Sequence, residues 1–187
     1  MRRWGALVAL LLGPLLFGGM ATAQTDVTQT HPLIDGAAIG NPDVVEYWLK
    51  RGVRVDLTDD DGRTPLMFGS LVGSMDIVEI TLAHNATVDQ RDKSGNTALI
   101  WAADQNEVEI VERLIEAKAN VNLQNGIGET AMIVATAEGL YDVVQVLLDA
   151  DADPTISDYT GRTAIDWARN GRDPELLRML EQAVGAR

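Results

Sequence analysis

Two runs of aspartate come closest to a chemical site by residue type and spacing. Asp59-Asp60-Asp61-Gly62 has the acidic-then-glycine order of a calcium loop, and Asp149, Asp151 and Asp153 alternate as calcium ligands do. A helix-flanked calcium loop needs alternating oxygen ligands before its glycine and a glutamate six residues after it. In the first run Leu57 and Phe68 occupy the first and last ligand positions, so both end ligands are missing. In the second run Pro154 stands where the glycine is required. Cysteine is absent, which excludes disulfides, thiolate metal sites and cysteine nucleophiles. His31 and His84 are the two histidines, no motif sets a serine against either, and both read as lone surface residues. Gly126-Ile127-Gly128 lacks the pattern of a phosphate-binding loop. Trp101 and Trp167, with Trp48, are expected between helices in the core and not as a ligand cage. No catalytic, cofactor-binding or metal-binding residue is expected.

Composition narrows the partners. The chain has 187 residues, 46% of them hydrophobic, enough for a folded core. A formal charge of −13 argues against nucleic acid and anionic membrane surfaces, which need a basic face. It suits a basic protein partner and a well-solvated surface.

Residues 1–23 have the three parts of a secretory signal. Arg2 and Arg3 are followed by the apolar stretch Ala6 to Phe17 and by Ala21-Thr22-Ala23, a small-x-small cleavage pattern. Pro14 and nearby glycines shorten the apolar run below the ~20 residues needed to span a bilayer. Cleavage near Ala23-Gln24 removes Arg2 and Arg3 and takes the formal charge from −13 to −15. The mature chain is expected in the periplasm or secreted, without membrane insertion.

A repeat organises the remainder. Gly62, Gly95, Gly128 and Gly161 are spaced by 33 residues, and Thr64, Thr97, Thr130 and Thr163 keep the same register. So do Leu66, Leu99, Met132 and Ile165, and then Gly69, Ala102, Ala135 and Ala168. Ile77-Val78, Ile110-Val111 and Val143-Val144 follow, with Leu82, Ile115 and Leu148. A period of this length marks a solenoid, in which one unit cannot bury its own apolar face but stacked copies can. Gly-x-Thr supplies a turn with a positive φ and a helix cap, while the small residues let paired helices approach.

These motifs resemble ankyrin repeats, through Gly62-Arg63-Thr64-Pro65-Leu66 and its three later counterparts. The resemblance extends back to a first copy lacking its leading turn. It implies an all-α solenoid of about five stacked helix-turn-helix repeats over 31–183, at about 31–58, 59–91, 92–124, 125–157 and 158–183. Residues 24–30 are expected to form a flexible start and 184–187 a tail. The family pattern has histidine after Thr-Pro-Leu. Met67, Ile100, Ile133 and Asp166 stand there instead, so apolar packing should largely replace its hydrogen bonds. Glycine after the second helix is present as Gly52 and replaced by Asn85, Lys118 and Asp151; a left-handed lysine should cost about 1 kcal/mol.

The resemblance also implies a binding surface at the turn tips and the exposed side of each first helix. Carried over by register, this comprises Asp60, Asp61, Arg63, Leu71 and Val72 in the second repeat and Lys93, Ser94, Asn96, Asp104 and Gln105 in the third. The fourth contributes Ile127, Glu129, Ala137 and Glu138, and the fifth Tyr159, Thr160 and Arg162. Leu71 and Val72, adjoining Ala38 and Ile39, form either an exposed apolar contact or a buried end of the array. The expected function is non-catalytic protein-protein interaction, as an accessory factor for an envelope enzyme. The alternative is an immunity or inhibitor protein neutralising a basic toxin or enzyme. No cofactor, small-molecule ligand or nucleic acid is expected.

Overall fold

The computed structural model describes residues 30–171 and 173–185. The expected signal and residues 24–29 lie outside the described residues. Among the described residues ten helices form five antiparallel pairs: α1 (Pro32–Ala38) with α2 (Pro42–Leu49), α3 (Pro65–Leu71) with α4 (Met75–Ala83), α5 (Ala98–Asp104) with α6 (Val108–Glu116), α7 (Ala131–Ala137) with α8 (Tyr141–Asp149), and α9 (Ala164–Gly171) with α10 (Pro174–Gly185). The first helices pack side by side in one layer, α1 on α3, α3 on α5, α5 on α7 and α7 on α9. The second helices α2, α4, α6 and α8 form the layer behind. This is the expected all-α solenoid.

The repeated residues explain the repeated geometry. Thr64, Thr97, Thr130 and Thr163 each cap a first helix, the hydroxyl accepting the N–H three residues on at 3.2–3.3 Å. His31 holds the same register in the first repeat and does the same work, its Nδ1 accepting Leu33 N–H at 3.0 Å. It is therefore a helix cap, edge-on to Trp48, and not the lone surface histidine its motif-free setting suggested. A Cβ on Gly69 would sit 2.9 Å from Ile77 Cγ2, so the small residue is what allows α3 and α4 to touch.

The position after Thr-Pro-Leu is largely buried and apolar, as expected, and two of its residues also hydrogen-bond. Ile100 and Ile133 are buried apolar residues. Met67 Sδ accepts Thr64 N–H at 3.4 Å, and the Asp166 carboxylate accepts both Thr163 N–H and its hydroxyl, at 3.1 and 2.9 Å. These two repeats keep a side chain reaching back to the cap, which two isoleucines cannot supply.

The second helices α2, α4, α6 and α8 are each followed by a left-handed residue: Gly52, Asn85, Lys118 and Asp151, at φ 85°, 60°, 69° and 60°. Lys118→Gly is expected to raise stability by about 1 kcal/mol, read as a higher urea midpoint, because lysine has a Cβ to strain and glycine none. A second left-handed turn, between the helices of a pair, uses Gly40, Gly73 and Gly139, with Asn106 in the third repeat at φ 59°.

The core runs along the stack between the layers. Leu66, Leu99, Ile110, Leu114, Met132, Leu147 and Leu176 are fully buried, and a smaller cluster of Leu33, Ile34, Val45, Leu49 and Ile77 closes the first two repeats. Polar ties cross from repeat to repeat in one register. Asp56 accepts the Thr87 N–H and hydroxyl, Asp89 accepts Asn120 N–H at 2.9 Å, and Asn122 accepts Asp153 N–H at 2.8 Å. At the far end Tyr141 donates its phenolic proton to Asp173, which pushes the phenol up to about 12 and holds the carboxyl below its ordinary range. Asp173 also caps α10, which continues to Gly185, past the expected end of the array.

Candidate partner-binding surface

The loops between repeats are built on one residue type at one register. Asp59, Asp92, Asn125 and Asp158 each accept two backbone N–H groups with Oδ1, from the residues two and four positions on, at 2.8–3.1 Å. Each thereby folds its own loop tip. The Asp59–Asp61 run is thus a turn device, as its register suggests, and among the described residues no group of acidic or histidine side chains is placed to hold a metal ion.

Successive loops then bond to one another. Lys93 N–H reaches Asp61 O at 2.8 Å, Gly126 N–H reaches Ser94 O at 2.7 Å, and Tyr159 N–H reaches Ile127 O at 3.1 Å. The approach is close enough to need glycine. A Cβ on Gly95, at φ 80°, would lie 2.6 Å from Gly126 N.

The free carboxylate oxygens of two loops hold the tryptophans. Trp101 Nε1 donates to Asp92 Oδ2 at 3.0 Å, and Trp167 Nε1 to Asp158 Oδ2 at 3.2 Å. Both indoles are half-buried and lie beside the loops, with the Arg162 guanidinium 4.0 Å above the Trp167 ring. They pack against the main core, as expected, and in addition reach the loops. An indole needs a partner for its N–H, and the acceptor lies in the loop.

Burial alone would raise the Asp158 carboxyl. Bonds from the Thr160 hydroxyl, the Arg162 and Thr160 backbones and the Trp167 indole outweigh it and bring the group down to about 2. A depressed folded value stabilises above the ordinary carboxylate range and is lost as pH falls through it. The stability difference between the parent protein and Asp158→Asn, about 1 kcal/mol at neutral pH from the lost indole acceptor, is therefore expected to shrink between pH 4 and 2. Urea melts across that range check it. A gap that stays constant would mean the carboxylate is not the stabilising form.

The candidate residues form two strips on this face. Asp60, Asp61, Lys93, Ser94, Ile127, Tyr159 and Thr160 are exposed at the tips, and Val72, Asp104, Gln105, Ala137 and Glu138 are exposed at the ends of the first helices. Arg63, Asn96, Glu129 and Arg162 share a register between the strips. Arg63 is engaged internally, with Asp59 at 2.9 Å and Asp61 at 2.8 Å, and Arg162 bonds Thr160 at 2.9 Å. Asn96, Asp104 and Glu129 are brought together with Ile100, Trp101, Asn125 and Val134 around a cleft of about 110 Å³.

The apolar candidates separate into two places. Leu71 packs on the small core cluster, while Val72 remains 41% exposed beside Gly40, whose chain neighbour Ile39 is 75% exposed. Of the two neighbours one is packed and the other exposed. Two repeats further on, Ile127 and Tyr159 are 61% and 72% exposed and joined by the backbone bond between their loops. Trp101, which lines the cleft, is absent from the positions that register gives.

A model described as ankyrin repeats in three copies matches residues 33–125, and one described as a single ankyrin repeat matches 127–159. No curated protein matches the chain. The loop ladder, the paired helices and these matches together place the chain in the ankyrin-repeat family, whose repeats are protein-protein interaction modules and typically non-catalytic scaffolds.

Proposed function

We propose that the protein is exported, to the periplasm or beyond the cell, and there holds another protein on its loop-tip and first-helix face as a non-catalytic accessory factor for an envelope enzyme. The observation that carries the binding surface is the loop ladder. It sets exposed side chains at one-repeat intervals on a backbone already locked by glycine turns and aspartate bonds, so little ordering is left to be done on binding. Export is supported by the charge, apolar stretch and cleavage pattern of residues 1–23.

Fractionation of cells expressing the tagged chain tests location; full-length protein in the cytoplasm would sink it. Co-purification from the exported fraction followed by mass spectrometry names the partner. Asp60→Lys with Asp104→Lys and Tyr159→Ala should then weaken binding at least about 10-fold with an unchanged melting temperature. Undiminished binding by that variant rules out this face.

The formal charge of −13 supports a second reading, an immunity or inhibitor protein against a basic toxin or enzyme. A toxin gene beside this one favours that reading, and an envelope-enzyme gene favours the first.

A further inference from the structure

The second-helix face, opposite the loop ladder's layer, carries two open grooves astride α8. One, between α6 and α8, has a volume of about 400 Å³ and is lined by Glu112, Ile115, Glu116, Val146, Asp149 and Ala150. The other, between α8 and α10, is also about 400 Å³ and is lined by Gln145, Leu148, Asp149, Asp151, Met179, Gln182 and Ala183. Asp149 stands between the two.

The neighbouring interval is different. Across α4 and α6 the Arg113 guanidinium bridges to Glu79 at 2.7 Å, and that bond holds the glutamate below and the arginine above their ordinary ranges. Among the described residues no lysine or arginine lines either open groove. Among the described residues the side chains of Glu112 and Asp151 make no hydrogen bond or ion pair. Carboxylates thus stand beside apolar side chains in two adjacent intervals of the same face, and Asp149 between them accepts the Gln145 amide at 2.8 Å.

We infer that this back face is a second docking surface, for a basic amphipathic helix of another protein lying across α8. Charge selects a basic partner, since every ionisable side chain lining the grooves is a carboxylate. Spacing selects a helix. Packed helices lie about 10 Å apart, so the groove centres do too. At 1.5 Å rise per residue, anchors seven apart on a helix are separated by about the same distance. The size of each groove suits two apolar side chains, as i and i+3 or i+4 neighbours provide. The protein would then join two partners, one on each face.

The test uses the full mature chain and a labelled ~18-residue peptide with leucines at i, i+3, i+7 and i+10 and lysines elsewhere. A scrambled peptide of the same composition and a version with a central proline serve as controls. Expected results are saturable binding that induces helicity, and at least about 10-fold weaker binding by both controls. Glu112→Lys with Asp149→Lys should weaken binding at least about 10-fold at an unchanged melting temperature, while Asp104→Lys with Glu129→Lys on the other face changes it less than about 2-fold. Equal binding of the scrambled peptide means diffuse attraction to an acidic protein and overturns the inference. So does tolerance of the proline, insensitivity to the back-face charges, or loss on the front-face substitutions. Because the two faces carry separate variants, failure here leaves the proposed function untouched, and the reverse also holds.

Discussion

Leu114→Ala is expected to destabilise the protein by about 4 kcal/mol and to divide its unfolding in two. Leu114 lies on α6, in the middle repeat, with none of its surface exposed, and belongs to the core that runs through the later repeats. Truncating a fully buried leucine removes its transfer free energy and leaves a cavity, together about 3–5 kcal/mol where the surroundings cannot collapse. Helices on both sides constrain that collapse here. In a globular domain the loss would lower a single transition. In a stack each repeat contacts only its neighbours, so a lesion in the middle weakens the coupling between the two ends. Trp48 in the first repeat and Trp167 in the last allow the ends to be followed separately by fluorescence, using single-tryptophan versions. Urea midpoints at the two ends should coincide in the parent protein and diverge in the variant. A loss below about 1 kcal/mol, or a single transition shifted as a whole, would contradict this account.

The second large effect is at a turn. Gly95→Ala is expected to cost about 3 kcal/mol, and Gly161→Ala only about 1 kcal/mol, although the two glycines have nearly the same backbone. Gly95 has φ 80° and Gly161 φ 85°, so alanine is strained at both by about 1 kcal/mol. The surroundings differ. A Cβ on Gly95 would approach Gly126 N to 2.6 Å and Asn125 C to 3.0 Å, both backbone atoms of the next loop, while at Gly161 nothing lies within 4 Å. Forcing backbone apart adds about 1–3 kcal/mol and opens the bond from Gly126 N–H to Ser94 O. Chemical denaturation of the two variants side by side measures the difference. Equal losses would mean that the loop ladder contributes nothing beyond each turn's own geometry.

This pair also shows what register can and cannot decide. Both glycines stand at the same point of the 33-residue period, and the sequence treats them alike. The difference depends on a following loop, which lies against Gly95 and, among the described residues, has no counterpart at Gly161.

By itself the sequence determined the architecture. A period held by glycine, threonine, a small residue and an aliphatic pair is sufficient because the interactions that build each repeat are local or lie one period away. The cap on α3 is Thr64 to Met67, the turn is Asp59 to Arg63, and the stacking residues recur 33 positions on. The candidate surface was legible as a set of positions and no further. Tertiary structure alone decided which of those side chains are available: Arg63 turns inward to Asp59 and Asp61, Val72 stays exposed while its neighbour Leu71 packs, and Tyr159 stands clear beside Ile127. It also decided that His31 caps a helix and that two tryptophans reach the loops. Side-chain direction depends on which partner lies within reach in the folded stack, and residue spacing carries the register of those partners but not the outcome of their competition.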